Sequence, residues 1–92
     1  SREHLAEIDE ALLELEQRLA ARGLLDAEAA DAPLAAVFRA MHSLKGMAGA
    51  MGHELVEQLA HALESRCEPL RDGSELLTDA VLELLFDGTA LL

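Results

Sequence analysis

A chain of 92 residues supports one small domain and has no room for a second domain or a deep cleft. Its 18 acidic residues against 7 Lys plus Arg give a net charge of −11, which argues against nucleic acid or an anionic membrane surface as a partner. Ala and Leu are abundant, the aromatics are limited to Phe38 and Phe86, and β-branched residues are few, so an all-α fold is expected and an all-β one is excluded.

The first predicted helix runs from about Arg2 to Arg22. Leu5, Ile8, Leu12, Leu15 and Leu19 recur at three-four spacing and form one apolar stripe. Glu3, Glu7, Glu10, Glu14 and Gln17 form the opposite face, Arg18 and Arg22 supply partners one turn away, and Gly23 is the expected C-cap. Leu24 to Ala30 reads as a connection of at most one helical turn. Asp31 is the expected N-cap of the second helix, with Pro33 in its first turn. That helix continues to about Met51 with Leu34, Val37, Met41, Leu44 and Ala48 inward, and Gly52 ends it.

The third predicted helix covers His53 to about Arg71, with Val56, Leu59, Leu63, Cys67 and Leu70 inward and Pro69 set to kink or fray its last turn. Asp72-Gly73 is a turn signal. Thr78 caps a fourth helix in which Val81, Leu82, Leu85 and Phe86 are buried and Leu91 and Leu92 extend the apolar face. Four amphipathic helices with short connections pack best as an antiparallel, up-and-down four-helix bundle. Residues 1–92 are expected to be one domain. Ser1 and the abrupt apolar end have the look of cut ends, so the domain is expected to be part of a longer protein. Cys67 is the only cysteine, which rules out an internal disulfide and reads as core packing. No signal peptide and no apolar run of membrane-spanning length are visible, and a cytoplasmic setting is expected.

The second helix carries the unusual chemistry. His42 lies in the run FRAMHSLKGMAGAMG, followed by Lys45 and by glycines at 46, 49 and 52. Glycine weakens a helix interior, so three in one helix call for a reason. On a wheel of about 100° per residue, His42 sits about 100–130° from the centre of the core stripe, on the helix shoulder. Gly49 falls within about 20° of it and Gly46 within about 40°. The bare surface therefore lies beside the imidazole, where a second protein could reach the ring. Lys45 is one turn away. On the third helix Glu64 stands at the edge of the apolar stripe, with His61 three residues earlier and further toward solvent. Antiparallel packing of the two helices would bring Glu64 to His42, fixing the tautomer and leaving the other ring nitrogen as a nucleophile. The same residues admit plainer readings: an ordinary surface histidine, and glycines that serve close helix packing. A zinc site from His42, His61 and Glu64 lacks a fourth ligand, so no metal is expected, and His4 and His53 read as surface or cap residues.

The run HSLKGMAGAMG, His42 to Gly52, resembles the phosphorylation-site run of histidine phosphotransfer domains, in particular the N-terminal domain of chemotaxis histidine kinases. That family reads His-Ser-x-Lys-Gly-x-Ala-Gly-x-x-Gly, and His42, Ser43, Lys45, Gly46, Ala48, Gly49 and Gly52 all match. LAHALES places His61 and Glu64 where the family has a His and a Glu near its phosphorylated ring. Met47 departs from a position that is often glycine, and points away from the His42 flank. The family domain also has a fifth helix, which would either be absent here or lie beyond Leu92.

The resemblance implies a phosphoryl carrier. His42 would be phosphorylated by an ATP-binding histidine kinase domain, in cis or in trans, and would pass the group to an aspartate of a response-regulator receiver domain. Lys45 would offset charge on the phosphoryl oxygens, Glu64 would orient the ring, and Ser43, Gly46 and Gly49 would form the docking surface. His61 would belong to the same site. The chain itself has no P-loop and no kinase glycine-rich loop. ATP and Mg2+ would therefore sit on the kinase domain, Mg2+ also on the receiver, and no cofactor in this domain. The alternative is a four-helix adaptor of the same fold that is never phosphorylated.

Overall fold

Apolar residues at three-four spacing give each helix one buried stripe, and the stripes meet in a single core. Ile8, Leu12 and Leu15 of the first helix, Leu34, Val37 and Met41 of the second, Cys67 and Leu70 of the third and Leu85 of the fourth are almost completely shielded. The computed structural model describes residues 2–92, and Ser1 lies outside the described residues. The helices are α1 (Arg2–Arg22), α2 (Ala27–Ala50), α3 (Glu54–Asp72) and α4 (Asp79–Ala90). They form the expected up-and-down bundle, with α2 packed between α1 and α3, and α4 closing against α1 and more lightly against α3. Among the described residues there is no strand. Gly88 lets α4 approach α3, because a Cβ there would meet Leu63 Cδ2 at 2.5 Å.

The start of α2 differs from the sequence expectation. Its N-cap is Asp26, whose carboxylate accepts from the Ala29 N–H at 2.8 Å, and Asp31 is an exposed residue in the helix's second turn. Pro33 is accordingly inside α2 rather than in its first turn. A proline there removes the N–H that would satisfy the carbonyl four residues back, that of Ala29. Arg18 of α1 supplies the missing donor: its guanidinium donates to the Ala29 carbonyl at 2.7 Å while also pairing with Glu14 at 3.2 Å. An internal proline is thus accommodated by a side chain from the neighbouring helix. Pro69 does not fray the end of α3: the helix continues to Asp72 and ends at Gly73, in the left-handed conformation with φ +88°.

Two connections share one end of the bundle and are tied together. Leu25 and Leu77 exchange both backbone hydrogen bonds, at 3.0 and 2.8 Å, in a single antiparallel bridge, and both side chains are buried. The bond exchange satisfies backbone groups that burial would otherwise strand. Leu5, Leu59, Val81 and Phe86, expected inside, line the half-buried margin of the core, and Val56 is half-buried without packing against it. Leu91, expected to extend the apolar face, is 76% exposed, whereas Leu92 packs against the core as expected.

Replacing the observed cap should separate the two aspartates. Asp26→Ala is expected to lower stability by about 1 kcal/mol, whereas Asp31→Ala should change it by less than about 0.5 kcal/mol. Thermal unfolding of the two variants beside the parent measures the difference.

Candidate functional site

The second half of α2 and the middle of α3 run side by side in opposite directions, and Glu64 is the residue on which they meet. Its side chain is only 7% exposed. A buried carboxylate needs partners for both oxygens. Here each oxygen has one, and both partners come from α2. His42 Nδ1 lies 2.6 Å from Oε2, and Lys45 Nζ lies 2.7 Å from Oε1. The sequence placed Glu64 at the edge of its apolar stripe. The structure places it inside, where His42 and Lys45 of α2 cover it.

The electrostatics follow from that arrangement. Burial by itself would push the Glu64 carboxyl up, but the hydrogen bonds from Lys45 and then His42 outweigh it, and the group titrates below its ordinary value of 4.5. Glu64 is therefore ionised at neutral pH. A carboxylate only accepts hydrogen bonds, so Nδ1 of a neutral His42 must carry the hydrogen. The lone pair is then on Nε2, at the opposite edge of the ring. The imidazole is 66% exposed, so this free nitrogen faces solvent. When the ring is neutral, the arrangement fixes its tautomer and orientation and leaves an accessible nucleophilic nitrogen.

The other expected site residues are distributed as follows. Ser43 and Gly46 are exposed beside His42, and a Cβ at Gly46 would meet nothing within 4 Å. Gly49 is different. The space its missing side chain would fill is taken by the Glu57 carboxylate, whose Oε2 lies 2.6 Å from where a Cβ would stand. Gly49 thus admits a neighbouring side chain of α3 rather than leaving bare surface. His61 is exposed on α3, one turn before Glu64, and makes no side-chain hydrogen bond among the described residues. Met47 is 38% exposed and lies more than a quarter-turn round α2 from His42. Sequence reasoning did not find Glu57, since its contact with Gly49 depends on the register between two helices.

Gly52 closes α2 at this end. It takes a left-handed φ of +76°, its N–H bonds to the Gly49 carbonyl, and the His53 N–H bonds to the Ala48 carbonyl at 2.8 Å. This paired closure holds the last turn that carries Gly49. His53 is the N-cap of α3 and makes no side-chain capping bond. His4 is half-buried, and its Nδ1 is buried without a partner among the described residues. Cys67 is fully buried, which pushes its thiol up to about 11 and leaves it unreactive. No three His, Cys, Asp or Glu residues gather as metal ligands among the described residues.

The model of the "Hpt domain" family matches residues 1–91. The chain is similar to the chemotaxis protein CheA of Halobacterium salinarum, with 37% identity over 86 residues, covering 94% of this chain and 12% of that protein. It is 35% identical over 89 residues to the chemotaxis protein CheA of Bacillus subtilis, covering 96% of this chain and 12% of that protein. The corresponding protein of Salmonella typhimurium is 35% identical over 82 residues, 88% of this chain and 12% of its own length. The chain therefore spans about an eighth of the length of these relatives.

The ion-pair network has a testable acid dependence. Glu64 has a lowered pKa in the folded state, so it binds its proton less readily than in the unfolded chain. Its stabilisation is fully present above its ordinary value of 4.5 and is lost as pH falls through the lower folded value. Glu64→Gln is expected to be less stable than the parent by about 1–2 kcal/mol at neutral pH. The gap should close as the pH drops below 4.5. Thermal unfolding of both proteins across acidic pH measures it.

Proposed function

We propose, from the premise that this chain belongs to the Hpt domain family, that it is a phosphoryl carrier of two-component chemotaxis signalling in which His42 takes up and hands on the group. The observation that carries the reading is the single carboxylate of Glu64 holding His42 Nδ1 at 2.6 Å while the ring stands 66% exposed. The orienting group is buried and the reacting nitrogen is not.

The chemistry runs in two steps. Nε2 attacks the γ-phosphorus of ATP held by a kinase domain, the bond to the bridging oxygen breaks, and ADP leaves with the electron pair. The substituted ring keeps its hydrogen on Nδ1 and becomes cationic, and the Glu64 carboxylate 2.6 Å away stabilises that charge. An aspartate oxygen of a receiver domain then attacks the phosphorus from the side opposite Nε2, and the P–N bond breaks. ATP and Mg2+ belong to the kinase domain and Mg2+ to the receiver. This chain supplies the nucleophile, its orientation and room for the approach.

Lys45 acts through Glu64, holding its second oxygen. Ser43 and Gly46 form the docking surface next to the ring, and His61 borders it on α3. Gly49 contributes by seating Glu57 against α2. The kinase domain lies in the same polypeptide or in its partner, residues 1–92 being one module of a longer kinase, and the setting is cytoplasmic. No described helix is long and apolar enough to cross a membrane.

His42→Gln is expected to abolish the acid-labile, base-stable label acquired from ATP and a cognate kinase, while stability changes by less than about 1 kcal/mol. Undiminished label on the variant would overturn the assignment. Glu64→Gln should label at His42 more slowly rather than not at all, and labelling kinetics measure that.

Gly46→Arg tests the docking surface. A side chain there meets no protein atom within 4 Å, and leaving glycine in a helix interior gains up to about 1 kcal/mol. The variant should be as stable as the parent or more so, yet bind the receiver at least tenfold more weakly by titration calorimetry. Equal affinity would move the docking surface elsewhere.

A further inference from the structure

The cations around His42 divide by side of the ring. Lys45 is on the α3 side, its ammonium held at 2.7 Å by the same carboxylate that holds Nδ1. On the α2 wheel Lys45 stands about 60° from His42 toward α3, and Arg39 stands about 60° from it in the opposite direction. Arg39 is exposed and one turn before His42. It forms no ion pair and no side-chain hydrogen bond among the described residues. Most other cations of the chain are committed: Arg18 to Glu14 and the Ala29 carbonyl, Arg66 to Glu75, and Arg71 to the face of Phe38 at 4.4 Å. Side chains three residues apart on a helix are neighbours, with Cβ atoms about 5–6 Å apart. Helical side chains also lean toward the N-terminus, so the His42 ring leans over the turn that bears Arg39.

Nδ1 faces Glu64, so a group added at Nε2 projects away from Lys45 and into the sector between Arg39 and Gly46. Gly46 contributes no side chain there. A phosphoryl group carries close to two negative charges and three strong acceptor oxygens. A guanidinium matches such oxygens with two parallel N–H donors. We infer that Arg39 is the phosphoryl-binding residue of this site, contacting the group on Nε2, while Lys45 serves only to hold Glu64. Arg39 would steady the group between arrival and departure and lower the charge that an incoming carboxylate must approach.

This inference rests on His42 being the acceptor, and the test keeps the two apart. The 92-residue chain is phosphorylated with phosphoramidate. Nε2 attacks phosphorus, the donor's P–N bond breaks, and ammonia departs with the electron pair and a proton. The 31P resonance of the phosphohistidine is then followed against pH in the parent, Arg39→Gln, Arg39→Lys and Lys45→Gln. A cation in contact favours the more ionised phosphoryl group, so Arg39→Gln should raise its titration midpoint by about half a pH unit. Arg39→Lys should restore part of the shift, and Lys45→Gln should move the midpoint less than Arg39→Gln does. A merely structural role for Arg39 would leave the midpoint in place, and circular dichroism monitors the fold of each variant. Coincident midpoints in the parent and Arg39→Gln, or a larger shift in Lys45→Gln, would overturn the inference while leaving His42 as acceptor. Absence of any label on His42 in the parent would overturn both.

Discussion

Everything that distinguishes this bundle from a generic one depends on a single buried carboxylate. Burying an ionised group costs several kcal/mol unless its oxygens are well bonded, and Glu64 can be ionised inside the bundle only because His42 and Lys45 each take one oxygen. The two donors come from one helix and the acceptor from the next, so the bond geometry also fixes how α2 and α3 slide past one another. Seven residues further along α2 and seven back along α3 the same register brings Gly49 under Glu57. A slip of one turn would strand the carboxylate.

The charge distribution follows the same economy. The chain carries 7 Lys and Arg beside 18 acidic residues, and internal polar bonds engage three of the cations. Lys45 holds Glu64, Arg18 completes the backbone that Pro33 interrupts, and the Arg66–Glu75 pair spans the α3–α4 connection with two hydrogen bonds. What is left on the surface is strongly acidic. Such a surface repels a polyanionic nucleotide, which suits a domain that receives a phosphoryl group from a donor held elsewhere. A single unpaired cation beside the reacting nitrogen matters more against that background than it would on a mixed surface.

The helices and the pairing of His42 with Glu64 were legible because both rest on periodicity. Three-four spacing identifies the buried stripes, and a histidine on one shoulder facing a glutamate on the next helix needs only antiparallel packing. What escaped the sequence was longer in range. Asp31-Ala-Pro33 looks like a helix start because aspartate caps and proline prefers the first turn. Asp26 carries the same local signal, and only Arg18, eleven residues before the Ala29 carbonyl it serves, makes an internal proline tolerable. Likewise, Gly46 and Gly49 look alike on a helical wheel. They differ because α3 reaches one of them and not the other, and the depth of Glu64 depended on two side chains, His42 and Lys45, on another helix. The bridge between Leu25 and Leu77 belongs to the same class, since neither residue lies on a periodic stripe.

A carrier histidine faces opposing demands. Its reacting nitrogen must be open to two large partners in turn, yet an open side chain on a helix surface is ordinarily mobile, and mobility costs rate when attack must be in line. Burying the imidazole would hold it still but shut out the partners. This structure separates the two requirements within one ring. Nδ1 is anchored to a carboxylate that is itself immobilised by burial and by Lys45, while Nε2, on the far edge, remains in solvent. The rigidity is borrowed from the core through Glu64, and the exposure is preserved by Gly46, which adds no side chain beside the free edge. The chain therefore needs no cleft, which agrees with a domain of 92 residues that is a tight bundle around an apolar core. On the proposed reading, specificity resides in the surface around the ring, where one helix presents Arg39, Ser43 and Gly46 in successive turns.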